Sequence, residues 1–454
     1  MKLIPYCYVT GIMKNIVPRI VPQTDKNMKG YLLLVIFVLI SLNENSVAGI
    51  SAIQNDQKVK LDQLKNEISL NLTHNLLPYW STRMVDTKNG GFYGRINASD
   101  KVFPDEDKGG ILNARILWTY SSAYRILKDT AYLRLATRSK DYIIAHFIDK
   151  KFGGAYRSVK STGEPSDIRK QTYTQSFFIY GFAEYYRATG DKDALKTAKE
   201  IFELFEKYAL DKIDDGYFEI FTRDWHRTRD MLIGERTPND EKTMNTHLHI
   251  MEAYTNLYRV WPDKRVADRL KDLIEIFLDK IVDTKTSQLI CFMDKNWNRS
   301  SSMDSYGHDI ESSWLLFEAA GLLNDPVLLN RVKETSIKIA NAASDGLQPD
   351  GSMIYEKDPS AGRTNAERSW WAQAETIVGY LNAYQMTGNN KYLDNSIKCW
   401  NYTKNHLVDN KSGGWYSSVS DSGVTGKGDK GGFWICPYHN GRMCMEIIER
   451  VSAK

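Results

Sequence analysis

The sequence is poor in the features that mark a disulfide-stapled, metal-clipped or membrane-spanning protein. It has five cysteines in 454 residues, and Cys7 lies in an N-terminal segment unlike the rest. Cys291, Cys399, Cys436 and Cys444 show no C-x-x-C spacing and are too few to staple a body of this size. They read as small apolar residues. Prolines number only 12, and the composition is that of an ordinary folded chain. An excess of one charge is missing too. The formal net charge is +4, but residues 1–48 carry five basic residues against two acids, leaving the remainder at +1. A near-neutral body has no electrostatic footprint for nucleic acid. The apolar run Tyr31–Leu42 is short of the roughly 20 residues that cross a bilayer.

That run has another use. Lys29, the apolar stretch and then Ser46-Val47-Ala48 form a basic start, a hydrophobic centre and a small-residue cleavage site. Residues 28–48 are therefore expected to be a signal peptide, with Met28 the initiator and residues 1–27 an upstream extension. The working domain is 49–454, periplasmic or secreted. It is cytoplasmic if the signal reading is wrong, and membrane-attached only if the segment stays uncleaved.

Aromatic residues are plentiful, with 11 Trp, 26 Tyr and 16 Phe. They suit either a large core or a carbohydrate site, where flat rings cover the apolar faces of sugars. Several fall in a repeat: Gly90-Gly91-Phe92-Tyr93, Gly153-Gly154-Ala155-Tyr156, Asp215-Gly216-Tyr217-Phe218, Asp350–Tyr355 and Gly413-Gly414-Trp415-Tyr416. The step is about 63 residues, with one beat missing that should fall near Ser287–Phe292. Between beats, apolar residues recur at helical spacing over 111–127, 175–189, 194–208, 246–260, 266–280, 310–323 and 372–387. Breaks at Thr189-Gly190, Asp325-Pro326 and Thr387-Gly388 end several of these segments. Two helices per unit, joined by short β-hairpins, predict an all-α fold of six helical hairpins. Closed into a ring, it is an (α/α)6 barrel; a solenoid fits the period equally well.

Three segments could carry chemistry. In Met244–Glu252, His247 and His249 are two apart and point to different sides of a helix, which argues against a shared metal. Asn245, His249 and Glu252 fall on one face instead. In Tyr306–Glu311, His308 and Glu311 are three apart, so Glu311 could tune the imidazole or hold a sugar hydroxyl. Gly432–Arg442 places His439 in a polar, aromatic, glycine-rich loop before a final helix. Two further pieces are Gly94-Arg95, whose guanidinium could hold an oxyanion, and Ser369–Glu375, with adjacent indoles.

Taken in order, Gly91–Arg95, Leu112–Arg115, Met244–Glu252, Gly307–Glu311, Trp370–Glu375 and Cys436–Arg442 resemble the cellobiose 2-epimerases of the N-acylglucosamine 2-epimerase superfamily. The likeness spans roughly residues 60–450. It implies the same barrel fold, no cofactor, no metal and a disaccharide or oligosaccharide substrate. By that resemblance His308 and His439 are the catalytic histidines. Arg95, Tyr173, Asn245, His249 and Glu252 surround the reacting sugar, Glu311 partners His439, and Trp371 and Trp434 contact the sugar rings.

The chemistry suits those groups. Inverting C2 of an aldose requires ring opening, removal of a proton beside the carbonyl and its return to the other face. Imidazole, with an ordinary pKa of about 6.5, gives and takes protons near neutrality. The intermediate is a cis-enediolate whose charge needs a fixed cation, for which Arg95 is the candidate. His439 is assigned abstraction and His308 reprotonation, with His249 assisting ring opening or orienting a hydroxyl. N-acylglucosamine 2-epimerisation and aldose–ketose isomerisation are close alternatives. From other classes come a glycoside hydrolase using Glu252 and Glu311, and a non-catalytic sugar-binding protein.

Overall fold

The computed structural model describes residues 55–228, 241–426 and 428–452. The expected signal peptide and the upstream extension lie outside these residues. No helix among the described residues is long and apolar enough to cross a membrane. The chain divides into two units, 1–63 and 64–454. Residues 55–63 of the first are helical, and the second carries the fold.

Twelve helical segments make up the second unit among the described residues. The first, α1, covers residues 64–83, with a π turn at Leu72–Leu76 ahead of Leu77–Arg83. It is followed by α2 Gly110–Leu127, α3 Thr130–Tyr142, α4 Thr172–Thr189, α5 Lys192–Leu204 and α6 Met244–Val260. Then come α7 Lys264–Ile276, α8 Tyr306–Leu322, α9 Pro326–Ala342, α10 Trp370–Thr387, α11 Asn390–His406 and α12 His439–Ser452. All seven segments expected to be helical are helical.

The even-numbered helices touch in order, from α2 to α12, and α12 returns to contact α2. The ring is closed, which excludes the solenoid. Burial separates the two sets. Thr172–Tyr185 of α4 is buried at every position, whereas α7 buries only Val266, Leu270, Leu273, Ile274 and Ile276, the stripe of an outer helix.

Inner helices pass to outer ones through tight turns. Asp129, Asp191, Asp263, Asp325 and Asn389 each cap the outer helix by accepting a backbone N–H, worth about 1 kcal/mol apiece. Outer helices return through long loops, each opening with a hairpin. Bridges Val85↔Phe92, Ile148↔Ala155, Leu210↔Tyr217, Leu347↔Met353 and Val408↔Trp415 mark the five visible beats. Val282↔Leu289 is the sixth, with Ser287 at φ 62° where four other beats place glycine and one places Asp215.

A second set of pairings ties neighbouring loops together. Lys108–Gly109 pairs with Ser158–Val159, Lys170–Gln171 with Ile220–Phe221, Lys242–Thr243 with Phe292–Met293, and Arg368–Ser369 with Ser418–Val419. Single bridges Asp304↔Lys357 and Ile96↔Gly431 complete the circuit. Buried ion pairs Asp86–Lys108, Asp149–Lys170 and Asp211–Lys242 pin hairpin turns to the strand before an inner helix, and Asp409–Lys430 pins one beside the Ile96↔Gly431 bridge. This loop belt surrounds the N-terminal ends of the inner helices.

Candidate active site

Those N-terminal ends converge on a cleft of about 470 Å³. Tyr173 reaches it from α4, Asn245 and His249 from α6, His308 and Glu311 from α8, Trp371 from α10 and His439 from α12, with Trp434 at its edge. Helical spacing explains the pairs, since residues three or four apart share a face. The cleft therefore gathers eight of the ten expected residues. His439 is the first residue of α12 rather than part of the preceding loop. Trp371 packs against both catalytic candidates, its ring centroid 4.6 Å from that of His308 and 5.6 Å from that of His439. Trp434 is the most open of these groups, 39% exposed, as suits a ring that meets ligand at the mouth.

Each cleft histidine has a partner at Nδ1. His439 is 2.7 Å from Glu375 Oε1, His249 is 2.9 Å from Glu252 Oε2, and His308 is 2.7 Å from Ser305 Oγ. Opposite a carboxylate oxygen Nδ1 carries the proton, leaving the Nε2 lone pair as the basic site. Burial draws all three histidines below 6.5, and nearby positive groups add to it at His439, where Arg115 and Arg442 face the ring. The imidazoles therefore rest neutral and ready to accept a proton. His247 is different. Its Nδ1 donates to Thr243 O and its Nε2 accepts from the Tyr217 N–H, which makes it a core histidine, as its place on the other side of the helix predicts.

Beneath the cleft lies a guanidinium. Arg442, 1% exposed, donates to Glu252, Glu311 and Glu375. Burial favours a raised pKa in all three acids, but Arg442 and His249 outweigh it at Glu252 and hold that group at about 2. At Glu311 burial and the Glu375 charge win, and its pKa is raised well above the ordinary value. Glu311, Glu375 and His439 offer ligand atoms within 4.8 Å of one another, enough to gather a cation. The cation among them is Arg442.

This arrangement corrects three expectations. Glu311 Oε1 is 3.8 Å from His439 Nδ1, so the hydrogen-bonding acid is Glu375, and Glu311 does not partner His308 either. Glu252 does not line the cleft; it backs His249 from behind. Because Glu252 and Glu311 bind one guanidinium, they do not flank a substrate bond as a hydrolase pair must.

Arg95 is the third. Its guanidinium is paired with Asp429 at 2.9 Å, sits over Phe103 and is outside the cleft lining. The cleft cation is Arg115, 2% exposed, whose Nη2 donates to Tyr173 Oη at 2.7 Å. An arginine inside the apolar run of an inner helix was the available signal. Glu375 and Arg442 stood within quoted motifs in the same way, as charged residues on helices that are otherwise buried.

Comparison with known proteins points to one family. A family model described as N-acylglucosamine 2-epimerase (GlcNAc 2-epimerase) matches residues 91–440. A cellobiose 2-epimerase of Bacteroides fragilis is 50% identical over 386 residues, covering 85% of this chain and 98% of the relative. One from Ruminococcus albus is 39% identical over 387 residues, covering 85% and 98%. The solved cellobiose 2-epimerase of Bacillus thermoamylovorans superposes with a TM-score of 0.82 at 38% identity, covering 86% of this chain and all of that one.

Proposed function

Because the chain belongs to the N-acylglucosamine 2-epimerase family, we propose that it inverts C2 of the reducing-end glucose of cellobiose and related β-1,4-linked disaccharides. It is an isomerase, and the proposed reaction needs no cofactor. The observation that carries the reading is the pair of neutral histidines, His308 and His439, packed against one tryptophan in a cleft that also holds a buried arginine.

The sugar enters with its reducing ring against Trp371, and its second ring extends toward Trp434. His249, held by Glu252, assists ring opening. His439 Nε2 takes the C2 proton while Glu375 accepts the hydrogen bond from Nδ1 and offsets the charge that develops on the ring. The electron pair passes into the enediolate, whose oxygen is stabilised by the permanently charged Arg115. His308 takes up a proton from solvent to become the imidazolium and delivers it to the opposite face of C2, while His439 releases the abstracted proton to solvent. Ring closure gives the mannose configuration, and the two histidines exchange roles in reverse.

Incubation with cellobiose in heavy water tests the reading. Glucosyl-mannose carrying deuterium at C2 should form, and His308→Ala or His439→Ala should abolish the exchange. Retained exchange in either variant would overturn the assignment. Ketose or N-acetylmannosamine products from the matching substrates would instead mark the isomerase or N-acyl alternatives. The signal expected from Met28 supports a periplasmic or secreted site of action. Fractionation of cells expressing the full chain checks it, and recovery only in the cytoplasm would contradict it.

A further inference from the structure

Ser305 stands directly before α8, where a serine hydroxyl ordinarily accepts a backbone N–H of the first turn. Its side chain makes no such bond. Oγ lies instead 2.7 Å from His308 Nδ1, and the helix start is held by the Ser305 carbonyl, which accepts the Asp309 N–H at 3.0 Å. Ser305 is 6% exposed and, with His308, lines a side chamber of about 210 Å³ adjoining the cleft. The hydroxyl has been diverted from the helix to the imidazole.

The other two cleft histidines are backed by carboxylates, Glu375 and Glu252. A carboxylate behind Nδ1 stabilises the imidazolium, whereas a neutral hydroxyl does so far less. We propose that Ser305 is a positioning residue for His308. It accepts the Nδ1 hydrogen and turns Nε2 toward the sugar. With Nε2 aimed at C2, His308 delivers there the proton it has taken up from solvent, while His439, held by Glu375, removes the original one. The inference rests on the epimerisation proposed above.

Three variants of the full chain test it with cellobiose across a pH series. Ser305→Ala should lower kcat about 10- to 100-fold with KM within about twofold. Ser305→Thr keeps the hydroxyl and should restore kcat to within about threefold of the parent. Ser305→Asp puts a charge behind Nδ1 and should move the kcat limb reporting His308 upward by about one pH unit or more. The charged and titratable groups around His308 are Glu311 on its own helix, His249 on α6, Glu375 on α10, His439 on α12, Arg115 on α2, Glu367 before α10, and Glu219 and Glu356 on the side chamber. All stay constant across the three variants.

Ser305→Ala with kcat within about twofold and an unmoved pH profile overturns the proposal, as does a Ser305→Thr no more active than Ser305→Ala. Should Ser305→Ala not fold, the Thr and Asp variants decide by rescue and by pH shift. No C2 exchange in the parent protein overturns the reaction itself. Exchange in the parent with no effect in the variants overturns only the role of Ser305.

Discussion

At the residue scale, two arginines separate what a motif suggests from what a position permits. Arg95 follows a glycine hairpin and reads as a free loop cation, yet Asp429, Glu106 and the Phe103 ring engage it outside the cleft. Arg115 lies within a buried helix, which hides it in a sequence scan and makes it useful in the site. Away from water its charge is poorly screened and acts strongly on a developing oxyanion. Arg115→Ala should therefore lower kcat on cellobiose about 100-fold or more, while Arg95→Ala stays within about threefold. Equal losses in steady-state assays would contradict this division. His249 and His308 were easier to read, because each lay at helical spacing from a polar neighbour.

At the element scale, the site depends on how closely inner helices approach. A Cβ added to Gly379 of α10 would meet Ile310 O of α8 at 2.7 Å, so only glycine permits this contact. The same two helices carry His308 and Glu311 on one side and Trp371 and Glu375 on the other. Gly379→Ala should push them apart, costing about 1–3 kcal/mol of stability. Activity should fall with it, since displacements near 1 Å weaken a preorganised site. Denaturant unfolding and kcat measured together check this; an unchanged midpoint would show that the helices can yield. The helical periods were legible in the sequence, but this distance was not, because it depends on which glycine faces which carbonyl.

At the scale of the whole molecule, the closed ring buries neutral histidines, and that couples stability to pH. In the unfolded chain His247 takes a proton near its ordinary 6.5, but burial lowers its folded value to about 4. Its contribution is fully present above 6.5 and is lost as pH falls toward 4, at up to about 1.4 kcal/mol per pH unit. A His247→Gln variant does not titrate there. Its stability deficit relative to the parent should shrink on acidification across this window, by roughly 3 kcal/mol in all. Parallel pH dependences in urea unfolding would show that His247 is protonated in the folded state.

Periodicity is local, so the sequence by itself determined the six units, the helix in each segment, the hairpin at each beat and the faces carrying His249 and His308. Even the irregular beat was recoverable from the repeat step, which placed it near Ser287–Phe292 although Ser287 stands in its turn. Tertiary structure decided ring closure, the exclusion of Arg95, the choice of Glu375 over Glu311 for His439, and the burial of Arg442 among three acids. These depend on distances between residues from about 60 to 330 positions apart in the chain, such as the Arg442–Glu252 and Arg95–Asp429 pairs. No spacing rule reaches that far; only the packing of one inner helix against the next selects which charges meet.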